Sequence, residues 1–468
     1  MKLRLFITSV ILLACVSPSS GAVEAPNNQP SPRLLKRRAY IKKMMVEAYD
    51  RGGEHDPKWD AAAREALLAL SRLVINDPLS TGDEESIILS KSVQALRAGC
   101  QDGLVRYCEA MAMGRANAPR AFQVIEKSEA AKKILQQTQY PPYIRVQVLL
   151  YGAWCHLGER DDQNPKWRKE SSEYVQQAMR LLPEVFADRD APPELLIGLV
   201  ESMGRLSVSI ANDRMVLVEP VIKLLAQSPQ SKSLRLTAQG SQMILYAWDA
   251  RGNDWAANVA PDQWPRFKER IGQARALLEE AWQLDEHNCD AANEMLIIVK
   301  AESRPRDEME VWFKRAMALD SCNRRACLNK IDYLRPAWGG SEQDMLDFGQ
   351  ELVDGGNPAG GLPILVENIH WQIAQLAAAA NGNIPDRAWF NHPGVWDQLK
   401  EMYEGYLKLV PQSRHHRTRY MLAAAWSGHW DVAEEQLKLL EEHPAENVRP
   451  EPDVVEVKKQ IREHAAAR

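Results

Sequence analysis

Residues 274–288 read ARALLEEAWQLDEHN, and residues 309–323 read MEVWFKRAMALDSCN. Laid over one another, Ala281 falls on Ala316, Leu284 on Leu319, Asp285 on Asp320 and Asn288 on Asn323, each pair 35 residues apart. A self-match at about 34 residues is the period of a helix–turn–helix repeat. The side chains fit that unit. A small Ala where two helices cross lets them pack closely. The Leu-Asp pair ends the second helix and caps the turn into the next.

The rest of the chain keeps the helical rhythm. From Pro32 onward apolar residues recur at spacings of three and four, as in Ala63, Leu67, Leu70, Leu73 and Val74, while strand alternation is hard to find. Breakers such as Gly52-Gly53, Asp77-Pro78, Pro141-Pro142 and Pro192-Pro193 cut it into segments one or two helices long. Many short antiparallel helices suit a bundle or a solenoid. The repeat decides for the solenoid. The expected fold is all-α, with antiparallel helix pairs stacked as a right-handed α-solenoid and well over half of the residues helical.

These residues resemble the tetratricopeptide family. The match lies in the second helix of the unit, at Ala274, Leu278 and Ala281 followed by Leu284-Asp285. In the first helix, where the family places Trp, Gly and Tyr, this chain has Asn293, Ile297 and Lys300. Fainter echoes run from Tyr174 to Pro183, from Tyr403 to Pro411 and from Gly428 to Leu440. The resemblance covers about half the chain at motif level and the rest by rhythm. Three segments, Gly99 to Tyr107, Trp248 to Trp255 and Tyr333 to Gly349, also resemble a bacterial tetratricopeptide-like domain to which no activity is attached. That resemblance bears on fold alone.

Length and composition agree. A chain of 468 residues holds two to four ordinary domains or one long array. With 45% apolar and 26% charged residues it is a folded soluble chain. Its 63 acidic against 58 basic residues argue against a dedicated nucleic-acid binder.

The N-terminus carries an export pattern. Lys2 and Arg4 precede an uncharged run from Leu5 to Val16, and Ser20-Gly21-Ala22 sets small residues before a cut at Val23. The run is shorter than the ~20 apolar residues of a membrane span. Leu12-Leu13-Ala14-Cys15 also resembles a lipoprotein box, so acylation and membrane anchoring at Cys15 is the alternative to cleavage before Val23. The expected organisation is a signal peptide over 1–22 and a tether over 23–31. Helical repeats follow over 32–235, tetratricopeptide-like repeats over 236–448, and a terminal helix over 449–468.

Motifs that carry chemistry are missing. There is no H-E-x-x-H, G-x-S-x-G or G-x-x-x-x-G-K-[ST]. Gly339-Gly340 and Gly360-Gly361 read as turns. His415-His416 are adjacent, so they point apart on a helix and do not form a metal pair. Arg33, Lys36, Arg37, Arg38, Lys42 and Lys43 read as a solvated helix face, or as a contact with an anionic membrane. The cysteines outside the signal read as buried small side chains. A bridge between Cys289 and Cys322 is disfavoured by helix–helix spacing. No catalytic residue, cofactor or metal is expected.

Eleven of the fourteen Trp lie in the C-terminal half. Trp282 and Trp312 read as core. Trp255, in a packed insertion from Arg251 to Pro265, and Trp338, beside Gly339, are the better candidates for exposed contacts. The inner face of the tetratricopeptide family is lined by first helices. Carried over, those positions are Glu294 and Ile298 in one unit and Asn329 and Tyr333 in the next. Glu294 and Ile298 do not supply the Lys, Arg and Asn of a carboxylate clamp, so no free C-terminal carboxylate is expected there. Asn329, Tyr333 and Trp338 together offer an amide, a phenol and a flat ring for a peptide backbone or a sugar edge. The expected function is a non-enzymatic scaffold that binds an unidentified protein or peptide in the cell envelope. A Trp-based polysaccharide-binding module, or an enzyme whose site is assembled from distant residues, are the alternatives.

Overall fold

The computed structural model describes residues 29–115, 121–136, 140–157, 165–252, 256–355, 357–381, 387–445, 448 and 451–467. Cys15, Trp255 and the export segment lie outside them. The described residues form twenty α-helices and no strand. The first ten are α1 (Pro32–Gly52), α2 (Asp60–Val74), α3 (Glu84–Arg97), α4 (Gly103–Arg115), α5 (Ala121–Gln136), α6 (Pro142–Leu157), α7 (Pro165–Ala187), α8 (Pro193–Ala211), α9 (Met215–Gln227) and α10 (Lys232–Arg251). The second ten are α11 (Gln263–Leu284), α12 (Cys289–Ala301), α13 (Arg306–Leu319), α14 (Arg324–Tyr333), α15 (Glu342–Asp354), α16 (Leu365–Asn381), α17 (Val395–Leu409), α18 (Arg414–Trp426), α19 (Trp430–Leu439) and α20 (Glu451–Ala466).

Consecutive helices pack against one another along nearly all of the described chain, so it is an α-solenoid of helix pairs, as the repeat predicts. Buried apolar residues form one cluster from Tyr40 to Ala238 and another from Ile244 to Ala423. The change falls inside α10, a continuous helix, and the expected boundary at 235/236 lies in the same helix.

The repeat anatomy explains itself locally. Ala274, Ala281 and Ala316 are fully buried at the helix crossings. Asp285 and Asp320 leave the helix in extended backbone, and each carboxylate accepts the N–H two residues on, at 2.9 and 3.0 Å. The caps of the next helices are Asn288 and Asn323, whose Oδ1 atoms accept the N–H of Ala291 and Ala326 at 3.0 Å. The Asp of the Leu-Asp pair therefore shapes the turn, while the Asn three residues later caps the helix. Ser341 caps α15, accepting from Asp344 N at 3.1 Å. The end of the Arg251–Pro265 insertion differs from expectation. Pro265 lies in the first turn of α11, where a missing N–H costs nothing. Pro363 precedes α16, which starts at Leu365.

Candidate functional site

The first-helix positions carried over from the family do not line an open face. Ile298 is fully buried and Glu294 is 1% exposed. The Glu294 carboxylate pairs with Arg325, which fills the space from the next unit. Burial pushes that carboxyl above its usual range, against the pull of the guanidinium beside it. Tyr333 is buried, and its hydroxyl donates to the Arg304 carbonyl at 2.9 Å. Asn329 is half-buried and donates to the Asn293 carbonyl at 3.2 Å. Trp338 is half-buried beside Gly339, with its edge on Trp248 at 6.2 Å and the Lys300 ammonium 5.1 Å from its ring. The structure thus gathers Asn329 and Tyr333 on α14 and sets Trp338 just past it, but Tyr333 packs inward.

Other tryptophans are engaged within the fold. Arg315 lies over Trp282 and Trp312 at 5.1 and 4.4 Å, and those two rings meet edge to face at 5.5 Å. Trp371 stacks on Trp426 at 5.7 Å, and Trp396 on His429 at 4.2 Å. Packing of this kind fixes helices to one another and leaves few free ring faces for a sugar. All six described cysteines are free. Cys289 faces Asn323 at 3.3 Å, while Cys322 accepts the Ser31 N–H at 3.2 Å.

The N-terminal helices return onto the C-terminal units. Arg33 reaches Glu194 at 2.8 Å and Asp290 at 2.7 Å, at the starts of α8 and α12. The Ser31 hydroxyl donates to Asp320 at 2.5 Å, just before α14. Arg37 faces Glu194 at 3.7 Å, and Arg38 grips Asp77 with two bonds of 2.6 and 2.5 Å. Half of the expected solvated basic face therefore points inward onto carboxylates. Lys36, Lys42 and Lys43 remain exposed.

A second closure joins the α2–α3 loop to α17 and α18. Tyr406 Oη donates to the carbonyls of Pro78 and Ser80 at 2.9 and 2.6 Å. Ser413 Oγ donates to the Thr81 carbonyl. Asp83 accepts the N–H groups of Arg414 and His415 at 3.1 and 3.4 Å. Two glycines allow this approach. A Cβ on Gly82 (φ 77°) would sit 2.6 Å from the His415 ring, and one on Gly361 (φ 68°) 2.5 Å from Pro78. Both are left-handed positions that favour Gly in any case.

Along this seam lies a cleft of about 520 Å³ between Arg72–Gly82 and helices α14, α16, α17 and α18. Arg324, Arg419, Trp371, His415 and His416 reach into it. The two His rings meet edge to face at 5.2 Å and do not point apart as expected. Burial pulls His416 down to about 4, so it is neutral near pH 7, and its Nδ1 lies 2.9 Å from Ser413 Oγ. No group of three or more candidate metal ligands occurs among the described residues. Neither Arg324 nor Arg72 carries a sequence signal. Each is an ordinary surface residue until the fold brings the two ends of the chain together.

A smaller recess of about 400 Å³ lies between α15 and α17. In its wall Trp389 Nε1 donates to His370 Nδ1 at 3.3 Å, His370 Nε2 meets Gln398 Oε1 at 2.9 Å, and Gln398 donates to Gln350 at 3.0 Å. An indole N–H only donates, so His370 Nδ1 must accept and Nε2 must carry the proton. That chain requires a neutral imidazole, and burial holds His370 down at about 4.

Fold and clefts define a tetratricopeptide-like helical-repeat protein, an architecture suited to binding. No family model matches the chain, and no curated protein matches it. Among solved structures it is similar to human IFIT1, seen as a dimer with m7Gppp-AAAA, at 11% identity over 88% of this chain and 93% of that one, with a TM-score of 0.26. It is also similar to yeast Tom70, at 11% identity over 92% of this chain and 97% of that one, with a TM-score of 0.23.

Proposed function

We propose that this chain is a non-enzymatic scaffold of the bacterial cell envelope that holds a protein or peptide partner. The observation that carries the reading is how its buried charge is used. Arg33, Arg325 and Arg419 are tied to Glu194, Glu294 and Glu367, each pair joining two different helices. Such pairs fix the relative positions of stacked units, which a binding surface needs. Export is supported by Lys2, Arg4, the run to Val16 and the small residues before Val23, with Cys15 as a lipid attachment point in the alternative processing. No helix among the described residues is long and apolar enough to cross a membrane.

Photo-crosslinkers at Asn329 and Trp338, in the full chain in its own cell, test this reading. They should trap one defined envelope protein, and the mature chain should begin at Cys15 or Val23 by mass. A chain starting at Met1 in the cytosol sinks the location. Turnover of a substrate by the purified chain sinks the non-enzymatic role.

A further inference from the structure

We propose that the seam cleft is a binding site for a small oxyanion, a carboxylate or phosphate monoester carried on a compact apolar body. This goes beyond the scaffold reading and stands whether or not a protein docks elsewhere.

The charges lining the cleft do not balance. Asp77 is one of its two carboxylates, and Arg38 takes both its oxygens from outside the cleft. Glu367 is the other, and Arg419 takes it. Both His side chains face the cleft, and His416 is neutral near pH 7. Two guanidinium groups remain, Arg324 and Arg72, with no carboxylate within 4 Å among the described residues.

Arg324 is the telling one. It is half-buried at the first position of α14, and its one side-chain hydrogen bond among the described residues is a long contact of 3.4 Å to the Gly361 carbonyl. Burial without a counter-charge pulls its pKa down. Buried guanidinium groups are ordinarily paired, because desolvation is costly unless an anion or several acceptors compensate it. Arg33 and Arg419 follow that rule, paired with Asp290 and Glu367. The planar fork left open at Arg324 matches a carboxylate or phosphate in two parallel bonds. Arg72 is exposed and adds charge at the edge.

The remaining wall selects the body of the ligand. Leu73, Leu328, Ile364, Leu365 and Trp371 face the same space. Leu328 is 39% exposed, an apolar side chain that a ligand would cover. A volume of about 520 Å³ lies within the range of small-molecule sites. A charged head on Arg324 with an apolar body against these side chains uses both halves of the cleft.

Calorimetry on the purified chain with benzoate, phenyl phosphate, inorganic phosphate and benzamide tests the assignment. Benzoate or phenyl phosphate should bind saturably with one site, and the tighter of the two identifies the head group. Benzamide and inorganic phosphate should each bind at least about tenfold more weakly, lacking the charge or the body. Arg324→Gln should weaken binding about tenfold or more, Arg324→Lys less, and the exposed Arg72→Gln about two- to fivefold. Circular dichroism and melting establish that each variant is folded, and Arg72→Gln keeps the test decisive if Arg324→Gln does not fold. Equal binding of benzamide and benzoate overturns the anion site. Inorganic phosphate binding as tightly as phenyl phosphate overturns the apolar body. No saturable heat from any probe at about ten times a millimolar Kd overturns the proposal as a whole, as does unchanged affinity in both Gln variants.

Discussion

The hydroxyl of Tyr406 donates to the carbonyl of Pro78 at 2.9 Å, joining residues 328 positions apart in the chain. It reaches the Ser80 carbonyl as well, at 2.6 Å. The stack is thus held by a few polar contacts across the seam in addition to its neighbour-to-neighbour packing. Linear repeat arrays lack such closure, since each unit touches only its neighbours.

Tyr406→Phe keeps the ring and removes both bonds. It leaves two loop carbonyls without this donor, at a cost of about 1–3 kcal/mol. Urea unfolding should show that loss, with the seam loop becoming more accessible to protease than α10–α12. Because the seam forms one wall of the cleft, the variant should also bind benzoate more weakly. Unchanged stability and unchanged loop cleavage would mean that the closure is incidental.

Asn323 does three jobs at once. Its Oδ1 caps α14, while Nδ2 donates to Asn293 Oδ1 at 3.0 Å and contacts Cys289 at 3.3 Å in the preceding unit. Asn288 repeats the device, donating to Ser233 and Thr237 at 2.7 and 2.9 Å. Losing a cap alone costs ~0.5–2 kcal/mol. Asn323→Ala also strands the buried Asn293 amide oxygen, so about 2–4 kcal/mol is expected. Asn323→Asp keeps the cap acceptor and loses the donor. It should fall between the two in denaturant titrations, and an Asp variant as stable as wild type would remove the inter-unit role.

Much of this fold was legible because its signals are local. Ala281 and Ala316 recur at one period, and Ser341 sits three residues before Asp344 whatever the rest of the chain does. The cap was harder to read. Asp285 and Asn288 are both good turn residues, and only geometry tells which one meets the helix N–H groups. Gly360-Gly361 reads correctly as a turn, but nothing in its neighbours announces that Pro78 will press against it. The cleft was not legible at all. Arg72 and Arg324 become a pair of uncompensated charges only after Arg38 has claimed Asp77 and Arg419 has claimed Glu367. Resemblance to the tetratricopeptide unit pointed instead to Glu294, Ile298 and Tyr333, which this chain fills with side chains of its own.

Tyr333 and Trp338 should separate under substitution. Tyr333 is 8% exposed and holds the Arg304 carbonyl, so Tyr333→Ala should cost about 3–5 kcal/mol as a large-to-small core change. Trp338 is half-buried with contacts on one side, and Trp338→Ala should cost about 1–2 kcal/mol. Crosslinking to a partner should fall in the Trp338 variant without a matching fall in melting temperature. Equal destabilisation of the two would place Trp338 in the core and remove it from any contact surface.

His370 gives the fold a defined acid sensitivity. In the native chain its Nδ1 accepts from Trp389 and its Nε2 proton faces Gln398, so a second proton would set N–H against N–H. Burial and this arrangement hold its pKa at about 4, against about 6.5 for a free imidazole in the unfolded chain. Between those values the unfolded state binds the extra proton and the native state does not. Stability therefore rises with pH across this window and is lost as pH falls through it. The gap corresponds to about 3 kcal/mol for His370, and His416, also held at about 4, acts in the same direction. His370→Gln retains a donor and an acceptor but cannot titrate. Its stability deficit relative to wild type should shrink as pH falls from 7 to 4.5, because only the wild type loses the His370 contribution. Urea midpoints measured at half-unit steps of pH decide the matter. Parallel curves for the two proteins over that range would show that His370 is protonated as easily in the fold as outside it, and that its bond with Trp389 does not hold the imidazole neutral.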